Sequence, residues 1–142
     1  MNAIAGASPG WVRWGWIAGR ACLCLPFVYS GVSKLLDFEA AMAEQAHFGL
    51  QPPALIAAMV ITVQLGGSAL VLFGRGLGRA GGALALAGFT IVATIIGHAF
   101  WTMQAMERFH NLNAFLEHVG LVGGFLIIAI QALWAECIAS RT

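Results

Sequence analysis

Residues 54–73 read ALIAAMVITVQLGGSALVLF, and no charged side chain interrupts them. At a rise of 1.5 Å per residue, a helix of this length extends about 30 Å, the thickness of the hydrocarbon core of a bilayer. A segment exposed to lipid must satisfy its own backbone hydrogen bonds, so a helix is the expected conformation. The stretch therefore predicts a membrane-spanning helix.

Three more stretches have a similar length and apolar character, and they cover residues 14–33, 80–101 and 113–134. Hydrophobic residues make up 60% of the 142 residues and charged residues 9%, whereas a soluble domain has about 25% charged residues. A soluble chain this short does not bury so much apolar surface. The sequence predicts an all-α, integral membrane four-helix bundle that forms one domain over residues 1–142.

Several other classes of protein are disfavoured by the composition. The net charge of +1 gives no basic surface for nucleic acid. The expected partner is the lipid bilayer, because of the apolar spans. The first span is not expected to be a cleaved signal peptide, because no basic segment precedes it and Lys34 stands where the cleavage site would need a small residue. Cys22, Cys24 and Cys137 are interpreted as apolar packing residues, without a disulfide framework.

The connections between the spans differ in kind. Residues 74–79 are too few for anything but a tight antiparallel helical hairpin. They begin a GxGxxG pattern at Gly76, which is not a dinucleotide site because no strand precedes it. The first connection, residues 35–53, contains Phe38, Met42 and Phe48 at intervals that indicate a short helix at the membrane interface.

Basic residues are unevenly distributed between the two ends of the predicted bundle. Lys34 and Arg108 lie at one end with most of the acidic residues, and the other end holds four arginines, Arg13, Arg75, Arg79 and Arg141. Because lysine and arginine are retained on the cytoplasmic side, both termini are expected in the cytoplasm. The first and third connections then face outward.

Polar residues inside the spans concentrate at the outward end. They are Tyr29, Ser30, Lys34, Gln64, His98, Asn113 and Glu117. Intramembrane polar residues usually face the interior of a bundle and pair with one another. The pattern predicts an outward-facing polar pocket for a ligand, with an ion pair between Lys34 and Glu117. Arg20 lies in the inner half of the first span and is interpreted as a structural intramembrane charge.

Simpler explanations exist for each of these residues. Lys34 and Arg20 can extend to the membrane surface, Glu117 can stabilise the start of its own helix, and Gln64 can join two helices. His98 can be a hydrogen-bonded structural histidine. His98 and His118 at similar depth are weak candidates for a metal or haem, but no set of ligands accompanies them, so no metal is predicted.

In combination, these segments resemble the DoxX family. The resemblance lies in Arg20, the stretch Tyr29-Ser30-Gly31-Val32-Ser33-Lys34-Leu35, Gly49-Leu50-x-Pro52, Gln64-Leu65-Gly66-Gly67 before the hairpin, His98, and residues 111–117. It implies a small four-helix protein of the bacterial cytoplasmic (inner) membrane. The wider group includes the DoxD-type subunit of thiosulfate:quinone oxidoreductase and the MauE proteins.

The resemblance suggests redox chemistry or thiol homeostasis in the membrane, with a partner membrane or periplasmic protein. The first hypothesis is therefore an accessory or redox-associated subunit whose pocket binds a quinone or a thiol; any enzymatic role would be that of a membrane oxidoreductase subunit. The alternatives are a non-catalytic scaffold for assembly, export or maturation of a partner, and a transporter. Gln64 stands where the family usually has Glu, which weakens proton transfer there, although Gln still donates and accepts hydrogen bonds.

Overall fold

The computed structural model describes residues 9–141, and in this part of the chain it contains five α-helices. They are α1 (Gly10–Leu36), α2 (Phe38–His47), α3 (Pro53–Phe73), α4 (Gly76–Gly97) and α5 (Ala105–Ala139), with a 3-10 turn, Phe100–Thr102, before α5. All but α2 are long and apolar enough to cross a membrane. The predicted all-α bundle with four spans is confirmed. The single domain predicted over residues 1–142 includes residues 1–8 and 142, which lie outside the described residues.

The helices extend beyond the predicted spans at several ends. α1 begins at Gly10 rather than Trp14, and α5 begins at Ala105 rather than Asn113. Hydropathy locates only the apolar part of a helix, whereas backbone hydrogen bonds continue into polar turns outside the lipid. The third predicted span, residues 80–101, lies within the candidate membrane span Gly76–Thr102, in which α4 ends at Gly97 and the 3-10 turn follows.

Local sequence explains where the connections form. Pro53 opens α3, a position that needs no backbone N–H donor. The Asp37 side chain accepts a hydrogen bond from the Ala40 backbone N–H at 2.9 Å and caps α2. The short helix in the first connection is therefore confirmed. So is the α3–α4 hairpin, in which Gly76 adopts a φ of +47° that favours glycine.

An aromatic and aliphatic core holds the long helices together. Phe27 of α1 packs edge-to-face against Phe89 of α4 and Phe125 of α5, with ring centroids 6.2 and 5.3 Å apart. Cys24 is buried in this core, but Cys22 and Cys137 are exposed. The interpretation of all three cysteines as packing residues is therefore wrong for Cys22 and Cys137, whose positions turn away from the bundle.

The α3–α4 hairpin packs closely enough for backbones to touch. A Cβ atom built at Gly82 would lie 2.6 Å from the Leu70 Cβ atom and 2.8 Å from the Gly67 carbonyl oxygen. Small residues permit such approaches between membrane helices. Gly124 of α5 similarly accommodates Leu23 of α1, whereas Gly120 has nothing within 4 Å of its Cβ position. Of these two glycines one turn apart on α5, only Gly124 therefore permits a close contact between helices.

The chain direction of the helices defines two ends of the bundle. What we call the acidic end contains α2, the end of α1 and the start of α5; the basic end contains the start of α1, the α3–α4 hairpin and the end of α5.

Candidate functional site

A cavity of about 660 Å³ opens between the helices toward the acidic end. Its walls are mainly apolar and include Phe27, Val60, Phe89 and Leu121. The polar lining residues come from all five helices or their ends: Ser30, Lys34, Glu44, Gln45, Gln64, Thr90, His98 and His118. A volume of this size and a mostly apolar lining with few polar groups are typical of small-molecule sites.

One wall of the cavity carries a connected chain of polar side chains. Lys34 Nζ forms an ion pair with Glu44 Oε2 at 2.7 Å and donates a hydrogen bond to Ser30 Oγ at 3.3 Å. Gln64 Nε2 donates to the same Ser30 Oγ at 3.1 Å. The chain therefore runs from α2 at the mouth, through α1, to a buried position on α3.

Gln64 ends this chain with an unused hydrogen-bonding atom. Its side chain is 5% exposed, and its Oε1 is buried without a partner among the described residues. An unsatisfied buried acceptor costs about 1–3 kcal/mol. The oxygen of a side-chain amide accepts hydrogen bonds and its NH2 group donates them. Rotation of the Gln64 amide therefore presents either an acceptor or a donor to the cavity.

Two histidines, His98 and His118, also line the cavity. Their rings meet edge-to-face with centroids 5.0 Å apart. His98, which follows the last residue of α4, has its Nδ1 2.9 Å from Asn111 Oδ1. His118 of α5 has its Nδ1 2.8 Å from Thr94 Oγ1. Both rings are thus held in place by hydrogen bonds between α4 and the start of α5.

The partners of the histidines determine their tautomers. The Asn111 amide oxygen can only accept, so His98 Nδ1 carries the hydrogen. Thr94 donates its hydroxyl hydrogen to the Thr90 carbonyl oxygen at 2.5 Å, so its oxygen accepts from His118 Nδ1. In a neutral ring, Nε2 is then an acceptor. Each histidine keeps one acceptor nitrogen for another group.

The cavity includes some of the predicted pocket residues and not others. Ser30, Lys34, Gln64 and His98 line it, whereas Tyr29, Asn113 and Glu117 do not. Those three side chains are exposed on the outer surface of α1 or α5. The structure does not bring these three residues to the cavity, because similar depth along a helix does not determine which way a side chain faces around the helix axis. Consecutive helical residues differ by about 100°, so His118 faces inward where Glu117 faces out.

The predicted ion pair between Lys34 and Glu117 is also wrong. Lys34 pairs instead with Glu44 of α2. The corner at Asp37 brings α2 back against α1 and α3, which places a carboxylate beside the last turn of α1. Residue spacing within single spans gives no information about this fold-back.

The sequence pattern does not indicate several side chains of the site. They are Glu44, Thr94 and Asn111, together with His118 as a residue that binds an organic ligand. For His118, its similar depth to His98 was a usable signal, but it suggested a metal ligand. Within residues 9–141 no three His, Cys, Asp or Glu side chains are grouped to hold a metal ion. Arg20 lies away from the cavity, and its Nε donates to the Trp16 carbonyl oxygen at 3.2 Å.

Four apolar helices around a partly polar cavity define a small multi-pass integral membrane protein. The family model described as DoxX matches residues 15–99, more than half of the chain, and the chain belongs to this family. Inner membrane protein YphA of Escherichia coli (strain K12) is 26% identical to it over 117 residues, which cover 80% of each protein. No solved structure matches the chain.

Proposed function

We propose that the chain is a redox-associated accessory subunit that binds a quinol or quinone in the cavity between its helices. The observation that carries this proposal is the buried, unpartnered Oε1 of Gln64 at a wall of a largely apolar cavity. A ligand that supplies a hydroxyl hydrogen there would satisfy it. The expected cofactor is therefore a quinone in its reduced or oxidised form.

Three hydrogen-bond acceptors in the cavity suit the reduced form. Gln64 Oε1, His98 Nε2 and His118 Nε2 are all acceptors in the arrangement described above. A hydroquinone has two O–H donors, whereas a quinone has two carbonyl acceptors. Rotation of the Gln64 amide would present Nε2 to a quinone carbonyl, with Oε1 accepting from the Ser30 hydroxyl. One residue can therefore recognise both redox states.

The apolar lining supports a ligand with a hydrocarbon body. Phe27, Val60, Phe89 and Leu121 offer surface to a ring and to the first part of an isoprenoid tail. A small thiol is the second ligand considered from the family resemblance. It has one weak donor and little apolar surface, so it uses this cavity less completely than a quinol does.

The membrane location and orientation belong to the same proposal. The relative from Escherichia coli is described as an inner membrane protein, and the same membrane is proposed for this chain. Both termini are placed in the cytoplasm because the basic end holds more arginine than the acidic end. The cavity then opens toward the outer leaflet or the periplasm.

Equilibrium binding of a short-chain quinol to the protein in detergent tests the proposal. Gln64→Leu should weaken quinol binding at least tenfold, because it removes a hydrogen bond from a buried site. Gln131→Leu is the matched control, since Gln131 lies on α5 at the basic end and does not line this cavity. Equal quinol affinity in Gln64→Leu and the unmodified protein would contradict the proposed role of Gln64.

A scaffold function is the second candidate, and one observation favours it. Glu117 is exposed on α5, together with Asn113 one turn before it. A carboxylate facing lipid is costly, whereas a partner helix with a matching polar group would satisfy it. Co-purification with a partner that is lost in Glu117→Ala but retained in Gln64→Leu would favour the scaffold over the quinol-binding subunit.

A further inference from the structure

A second cavity of about 520 Å³ lies at the basic end, and three arginines line it. Arg13 and Arg20 come from α1, where a spacing of seven residues places them on one face, and Arg79 comes from α4. The remaining lining residues are Trp16, Ile17, Leu72, Phe73 and Gln131. None of these residues belongs to the proposed quinol cavity.

Within residues 9–141, the three arginines have no carboxylate partner. In the part of the chain that the structure describes, the one ion pair within 4.0 Å joins Lys34 to Glu44 at the other end. Glu136, near the end of α5, is the acidic residue that the described structure places at the basic end. Its side chain lies against Gly76, outside the lining of the cavity. Among the described residues, therefore, no carboxylate forms an ion pair with the three arginines.

The hydrogen-bonding capacity of the arginines is also incompletely used. Arg79 Nε is buried without a hydrogen-bond partner among residues 9–141. Arg20 uses Nε for the Trp16 carbonyl oxygen, which fixes the side chain and leaves the terminal nitrogens of its guanidinium for other acceptors. Guanidinium groups bind phosphate oxygens through paired N–H donors. A phosphate group in the cavity would supply both the missing charge and the missing acceptors.

The apolar part of the cavity lining indicates how such a ligand would be oriented. Phe73 is 83% exposed and Ile17 36% exposed on the surface that faces lipid. We propose that Arg13, Arg20 and Arg79 bind the phosphate group of an anionic phospholipid, whose acyl chains lie along Ile17, Leu72 and Phe73. Free phosphate shares the headgroup chemistry but makes no contact with this apolar surface.

Native mass spectrometry of the delipidated full-length protein in detergent tests the assignment. The protein is titrated separately with phosphatidylglycerol, with phosphatidylcholine and with inorganic phosphate. Phosphatidylglycerol should bind more tightly than phosphatidylcholine, and Arg79→Gln or Arg20→Gln should each weaken its binding about fivefold. Arg141→Gln removes an exposed arginine from the same end, and binding should be unchanged.

Each result of the titration decides the assignment. Displacement of phosphatidylglycerol by inorganic phosphate at comparable concentration, with the same arginine dependence, would overturn the phospholipid as ligand and assign the three arginines to a soluble anion. Should Arg79→Gln fail to fold, the Arg13→Gln and Arg20→Gln double variant should still lose about 25-fold in affinity. Phosphatidylglycerol binding that is equal in the unmodified protein and this double variant would overturn the proposal.

Discussion

Ser30 Oγ on α1 lies 3.1 Å from Gln64 Nε2 on α3, a hydrogen bond between residues 34 positions apart in the chain. The same oxygen accepts from Lys34 Nζ at 3.3 Å. A single hydroxyl therefore links the ion pair at the cavity mouth to the buried amide of Gln64. The polar wall of the cavity depends on this one atom.

Ser30→Ala should lower the free energy of unfolding by about 1–3 kcal/mol, because it leaves the buried Gln64 amide with no partner. Unfolding in a mixed-micelle denaturant titration measures the loss. Ser33→Ala, three residues along the same helix at an exposed position, is the control and should change the free energy by less than about 0.5 kcal/mol. Equal effects of the two substitutions would mean that the Ser30–Gln64 bond contributes nothing.

Lys34 and Glu44 should show a small, measurable coupling. The Glu44 side chain is 45% exposed and that of Lys34 16%, so solvent screens the pair and we expect about 0.2–1 kcal/mol. A double-mutant cycle with Lys34→Met and Glu44→Gln measures this coupling free energy. The parallel cycle with Lys34→Met and Glu117→Gln should be additive. Coupling to Glu117 instead of Glu44 would contradict the position of α2.

Gly82→Ala should destabilise the α3–α4 hairpin, because the added methyl group would overlap the Leu70 Cβ atom and the Gly67 carbonyl oxygen. Overpacking of this kind costs about 1–3 kcal/mol. The neighbouring substitution Gly81→Ala places its methyl group where nothing lies within 4 Å, and the protein should retain its stability. Thermal denaturation in detergent compares the two variants, and the prediction fails should Gly81→Ala prove the more harmful.

Reporter fusions test the orientation of the bundle. A reporter active only in the cytoplasm should function when it is fused after Thr142, and one active only outside should function within the first connection, residues 35–53. The excess of arginine at the basic end is the physical reason. An external carboxyl terminus would contradict the proposed orientation and move the cavity mouth to the cytoplasmic side.

The sequence was sufficient for the number and type of the spans, since four apolar stretches of bilayer length have few alternative structures. It also located Ser30, Lys34, Gln64 and His98 at one end of the bundle. It was insufficient for rotation about the helix axes, because nearly every face of α3 or α5 is apolar. The sequence therefore indicates Glu117 where the structure places His118 at the cavity. It does not predict the partner of Lys34, because the contact depends on how α2 folds back against α1.

Photoaffinity labelling with an azido-quinone is a direct test of quinone binding in the cavity. The labelled protein is digested and the modified residues are identified by mass spectrometry, with and without excess unlabelled quinol. Labels are expected on α3 and α4 around Val60, Gln64 and Phe89, and they should be removed by quinol and strongly reduced in Gln64→Leu. Labels spread over exposed residues outside the cavity such as Leu55, Ile91 and Ile127, insensitive to quinol, would show that the cavity does not bind this ligand.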